Sequence, residues 1–133
     1  MHDAPIVVGI EDTAEAAEAL RWAAMESRRT EAPLVAVLAY GHDAPGASPA
    51  LTATQESVAR SWATHWLRDV LSHDAPPWRT HLVVVPEAAD SALARYSRDA
   101  ALLVLGRAAM CREGTLCPVV TMPAGETHGQ VSA

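Results

Sequence analysis

Five short apolar runs alternate along this chain with segments of helical period, and that alternation confines it to one class of fold. Residues 6–10, 34–40, 80–85, 101–105 and 118–122 have the length and the scarcity of polar interruption expected of buried strands. Between them, residues 14–29 place Ala16, Leu20, Ala23, Ala24 and Ser27 on one helical face. Residues 57–71 repeat Ala59, Trp62, Ala63, Trp66, Leu67, Val70 and Leu71 at spacings of three and four, and residues 90–98 read as a short third helix. Strands alternating with helices predict a single α/β domain: one open parallel sheet with helices on both faces.

Local signals mark the boundaries. Asp12 or Thr13 can cap the first helix, and Glu15 is spaced to close a capping box on Asp12. Pro33 breaks the chain before the second strand, and the glycines and prolines of residues 41–49 predict a loop. Pro76-Pro77 ends a linker ahead of the third strand. The domain is expected over residues 1–123, followed by a polar tail over 124–133. The expected core is Ile6, Val8, Leu20, Val35, Val37, Trp62, Trp66, Val70, Val84, Leu103 and Leu105.

Composition removes several chemistries. All ten basic residues are arginine, so no lysine is available as a phosphate ligand, Schiff base or general base. A net charge of −6 argues against nucleic acid, whose phosphates require a basic face. No apolar run approaches the ~20 residues of a membrane span. The first residues lack the basic-then-apolar pattern of a signal peptide, and a cytoplasmic protein is expected. Cys111 and Cys117 match no common zinc spacing and read as reduced thiols. The tetrapeptide His-Asp-Ala-Pro occurs at residues 2–5, 42–45 and 73–76, and its unequal spacing in loops favours turns over a metal site. Ser57, Ser61 and Ser72 have no base at an obvious spacing, so no catalytic residues are assigned and no enzyme is expected.

The apolar run 101–105 ends at Gly106-Arg107, a strand running into a loop. In nucleotide-binding α/β proteins such a junction opens a glycine-rich loop whose backbone N–H groups close around phosphate. Here Ala108, Ala109 and Met110 follow instead.

Taken in order, these segments resemble the universal stress protein family. Val7-Val8-Gly9-Ile10-Glu11-Asp12-Thr13 is similar to the family's first strand and turn. Ala19-Leu20-Arg21-Trp22-Ala23-Ala24 is similar to its first helix, and Ala32-Pro33-Leu34 to its entry into the second strand. Residues 100–107 echo its Ala-Asp-Leu-Leu-Val-Val-Gly-Ser-Arg segment, and Cys117-Pro118-Val119-Val120 its closing strand. The resemblance implies a sheet order of 3-2-1-4-5. It implies a ligand crevice beyond the carboxy ends of the first and fourth strands, lined by Gly9, Ile10, Glu11, Asp12, Tyr40, Gly106 and Arg107.

The chain departs from the family's ATP-binding pattern in that crevice. Glu11 stands where ATP-binding members carry aspartate, and Ala109 replaces the second glycine of their Gly-x-x-Gly-x9-Gly-Ser/Thr loop. Gly114-Thr115 follows after four residues rather than nine, which leaves the fourth helix reduced or missing. Arg107 and Arg112 could hold an anion, but Glu11, Asp12 and Glu113 oppose a triphosphate. The expectation is therefore a non-enzymatic regulatory or interaction module that binds no ATP and carries neither cofactor nor metal. Its alternative is a sensor of ATP or AMP with a rearranged loop. An adenylating or flavoprotein-like enzyme of the wider fold group would rest on fold analogy alone.

The connection over residues 106–116 supplies eleven residues, about the minimum for a parallel crossover, and could send the last strand away from its own sheet. The family likeness implies a homodimer through Pro118, Val119, Val120, Thr121 and Met122, with an unidentified protein as a further partner. Pro118 and Pro123 lack N–H groups, leaving Val119 to Met122 as donors to a second chain.

Overall fold

The computed structural model describes residues 4–40, 49–71, 79–106 and 117–122. Its elements run β1 (Ile6–Gly9), α1 (Ala14–Thr30), β2 (Leu34–Ala39), α2 (Pro49–Val70), β3 (Thr80–Val85), α3 (Ala89–Tyr96), β4 (Leu102–Leu105) and β5 (Val119–Thr121). The five strands form one parallel sheet in the order β3-β2-β1-β4-β5, the order the family resemblance implies. The strand order reverses between β1 and β4. β5 stays on its own sheet, with Leu103 opposite Val119 and Leu105 opposite Thr121. The segment 107–116, on which the reduced fourth helix was expected, lies outside the described residues, as does the tail.

Two apolar layers cover the sheet. On one face Ile6, Val8, Leu34, Ala36 and Val104 pack with Ala19, Leu20, Ala23 and Ala24 of α1 and Ala63 of α2. On the other, Val7, Val37, Leu103 and Leu105 pack with Ala92 and Leu93 of α3. Consecutive residues of β1 and β4 are thus buried alternately upward and downward, which is why both strands read as unbroken apolar runs.

Several sequence expectations are corrected. Trp62, Trp66, Val70 and Val35 are half-buried at the margins of these layers rather than central. Trp62 and Trp66 stack on each other with centroids 5.8 Å apart. Helix α2 starts at Pro49, eight residues before the expected position. Proline suits the first helical position, where its fixed φ fits and no N–H is needed. The first helix is capped by Thr13, whose Oγ1 accepts from the Ala16 N–H at 3.0 Å. The cap moves one residue beyond Asp12, so Glu15 falls at the second helical position and the expected capping box is out of register. Ser27, inside the apolar face of α1, is satisfied by donating to the Ala32 carbonyl at 2.5 Å.

Candidate functional site

The crevice expected from the strand order is built by the carboxy ends of β1, β2 and β4. At β1, Gly9 and Ile10 are buried, and the Ile10 N–H extends the sheet by donating to the Val37 carbonyl at 2.9 Å. The chain then turns tightly, with the Thr13 N–H on the Glu11 carbonyl, and enters α1. Glu11 is half-buried and Asp12 exposed, so both carboxylates stand at the mouth. At β2, the Tyr40 N–H donates to the Val85 carbonyl and carries that strand one residue past Ala39.

Gly106 closes the site on the β4 side, and its position gives it a structural role. It is buried at the strand end. A Cβ there would lie 2.6 Å from the Ala16 nitrogen and 2.8 Å from the Glu15 carbonyl carbon, both backbone atoms that cannot swing away. Glycine is required here because the first turn of α1 rests directly on the end of β4. The residues of the β1 turn and Gly106 are therefore brought together through that turn. Arg107, the last of the expected lining residues, lies outside the described residues, as do Arg112, Glu113 and the Gly114-Thr115 pair.

Tyr40 supplies the most informative side chain. Its hydroxyl oxygen is buried and makes no hydrogen bond among the described residues. Burial raises its pKa, and the negative charge of Glu56 raises it further. Glu56 belongs to the early part of α2 that the sequence reading assigned to a loop or left unassigned. Because α2 runs antiparallel to the strands, its N-terminal half lies at their carboxy ends, beside Tyr40. Glu56 pairs with Arg60 one turn on, 3.5 Å away, with both side chains about half exposed. The signal that could have revealed this wall was Pro49 itself, read as a loop residue when it opens the helix.

A cavity of about 380 Å³ lies at the opposite end of the sheet, between Ala4, Ile6, Ala101 and Leu102 at the strand starts, Glu26 and Thr30 in the last turns of α1, and Ala32 just beyond it. It contains none of the expected site residues. Among the described residues, no three His, Cys, Asp or Glu side chains are grouped so as to hold a metal ion. The three His-Asp-Ala-Pro histidines and Cys111 lie outside the described residues. Ser57 and Ser61 are exposed on α2. The dimer expected from the sequence would use a different surface: among the described residues β5 is a sheet edge paired with β4, and Pro118, Val119 and Thr121 are exposed there. No helix among the described residues is long and apolar enough to cross a membrane.

Comparisons with known proteins place these features in context. The family model described as "Universal stress protein family" matches residues 4–115. Among solved structures, a universal stress protein family member from Burkholderia pseudomallei is 25% identical, with 91% of this chain and 96% of that one covered and a TM-score of 0.65. The universal stress protein from Archaeoglobus fulgidus in complex with dAMP is 20% identical, with 92% and 99% covered and a TM-score of 0.64. A universal stress protein in complex with cAMP is 16% identical, with 92% and 98% covered and a TM-score of 0.66. No curated protein sequence matches the chain.

Proposed function

This chain belongs to the universal stress protein family, and from that premise we propose that it is a non-enzymatic regulatory module whose crevice takes an adenine nucleotide carrying one phosphate rather than ATP. The observation that carries the reading is the pairing of a crevice at the strand-order reversal with a Gly106 committed to seating α1. The turn after β1 and the ends of β2 and β4 meet at the strand-order reversal, where ligands of open α/β sheets bind. The glycine of β4, however, is occupied in seating α1, and the residue three positions later is Ala109 rather than a second glycine. Alanine keeps its backbone N–H but lacks the conformational freedom with which glycine turns such groups onto a triphosphate.

Charge supports the same limit. Glu11 and Asp12 border the mouth and Glu56 acts at Tyr40, so each further phosphate adds repulsion. The relatives crystallised with dAMP and cAMP hold ligands with a single phosphate. The reading includes a cytoplasmic location, no nucleic-acid partner on account of the −6 charge, and a homodimer through the free edge of β5. Calorimetric titration of the whole chain with AMP and with ATP tests it. Saturable binding of AMP and none of ATP at the same concentration is the expected result; tighter binding of ATP, or of neither, overturns it.

A further inference from the structure

The cavity at the amino ends of the strands is separate from the crevice, and its polar wall is of one kind. Its volume of about 380 Å³ lies in the range of small-molecule sites, ~300–1,000 Å³. The floor is apolar: Ile6 and Ala32 are buried, and Ala4, Ala101 and Leu102 complete it. Backbone donors at the strand starts are already engaged. The Ile6 N–H donates to the Pro33 carbonyl and the Ala101 N–H to the Pro5 carbonyl, both at 2.8 Å.

The polar wall is Glu26 and Thr30, one turn apart on α1. The Thr30 hydroxyl donates to the Glu26 carbonyl at 2.8 Å, so toward the cavity its oxygen can only accept. The Arg29 guanidinium donates to both carboxylate oxygens of Glu26 and holds that carboxyl below its ordinary pKa. Each oxygen keeps a second lone pair. The Glu26 side chain is 22% exposed and that of Arg29 70%, so water screens the arginine more than the carboxylate. The carboxy end of α1, the negative end of its dipole, closes the same wall. An ionised carboxylate, an accepting hydroxyl and a helix carboxy end all select a ligand that donates and is positively charged.

We propose that this cavity is a second binding site, independent of the crevice, for a small amine. Its ammonium group sits on Glu26 and Thr30, and its alkyl or aryl body rests on Ile6, Ala32, Ala101 and Leu102. The body supplies affinity by leaving water, and the ammonium supplies the selectivity. The same wall repels carboxylates and phosphates, so the site does not rest on the nucleotide reading.

The test titrates the whole chain with phenylbutylamine, phenylbutanol and phenylbutanoate, followed by amide and methyl NMR. All three share an apolar body, and the amine alone brings the charge that the wall selects. Shifts are expected at Ile6, Ala32, Ala101 and Leu102, with the amine bound about tenfold more tightly than the alcohol, the size of one charge-assisted hydrogen bond, and the carboxylate most weakly. Glu26→Gln keeps the shape of the wall, gives up only a surface ion pair, and reduces the amine to the affinity of the alcohol. Ala101→Leu fills the cavity from an exposed position and weakens amine and alcohol alike. No saturable shifts, amine shifts confined to other residues, or an alcohol that binds the wild type as tightly as the amine overturns the proposal. So does a preference for the amine that survives Glu26→Gln, or undiminished binding in Ala101→Leu.

Discussion

A methyl carbon on Gly106 would sit 2.6 Å from the backbone nitrogen of Ala16, so the end of β4 and the first turn of α1 touch backbone to backbone. Either α1 must lift from the sheet or β4 must shift to admit any side chain. Gly106→Ala is therefore expected to lower stability by at least ~1–3 kcal/mol, the range for overpacking a closed site, as read by urea denaturation. A neutral outcome would show that α1 can move. Loss of ligand binding in such a variant would report damage to the fold, so substitutions at Gly106 cannot probe phosphate contacts.

Leu103 lies at the centre of the α3 face and is fully buried. Leu103→Ala removes its methyl groups and leaves a space that β1 and α3 close only in part. The expected cost is about 2–5 kcal/mol in chemical denaturation. A loss below about 0.5 kcal/mol would contradict the packing of β4, because even an Ile→Val change in a core costs about that much.

Helix α1 ends on Glu31 with φ 62°, in the left-handed region where a side chain is strained. Glycine removes that strain and is the usual residue at such an end. Its greater freedom in the unfolded chain offsets part of the gain. Glu31→Gly is expected to raise stability by about 0.5–1 kcal/mol, measured by thermal melting. The Arg79 guanidinium donates to the backbone carbonyl of residue 31, so that contact survives the change.

These features show how far the sequence could be read. The parallel sheet was legible because apolar runs alternate with helical periods, and its strand order came from the family likeness alone. Residues 80–85 coincide with β3 as expected. Glu31 gave no warning, since a left-handed end is normally announced by glycine or asparagine and the chain has no asparagine at all. The β1 and β4 cores were half legible: choosing alternate residues found Val8 and Leu103 but passed over Val7 and Val104, which are equally buried because helices cover both faces. Gly106 was identified from its place before a loop, but its contact with Ala16 joins residues ninety positions apart and no local pattern encodes it. Glu56 was missed for a different reason: Pro49 opens α2 eight residues earlier than the apolar spacing alone suggests.

The raised pKa of Tyr40 fixes a pH dependence. The folded state holds the phenolic proton more tightly than the unfolded chain, where tyrosine titrates near ~10. The stabilisation linked to that proton is complete below the unfolded value and is lost as pH rises through the folded one. Stability is therefore expected to fall at alkaline pH in the wild type, and that part of the fall is absent in Tyr40→Phe. Denaturant midpoints across the alkaline range check the sign; parallel profiles for the two proteins would contradict it.

The edge of β5 determines how the proposed dimer should be tested. The Leu103 N–H donates to the Pro118 carbonyl, and the Met122 N–H donates to the Leu105 carbonyl. Backbone groups of a strand alternate in direction, so the Val120 N–H points with that of Met122 toward β4. Those of Val119 and Thr121 point outward. Of the four donors expected from the sequence, two are thus consumed within the chain and two remain for a second copy. Val120→Pro would break the β4–β5 ladder itself and confuse misfolding with dissociation. Thr121→Pro removes an outward donor, leaves both inward bonds in place, and acts at an exposed residue. The wild type is expected to scatter light as a dimer at micromolar concentration and Thr121→Pro as a monomer with an unchanged far-ultraviolet circular dichroism spectrum. Thr121→Ser keeps the donor and is expected to remain dimeric. A monomeric wild type overturns the dimer, and a proline variant that dimerises equally well places the contact elsewhere than on this strand.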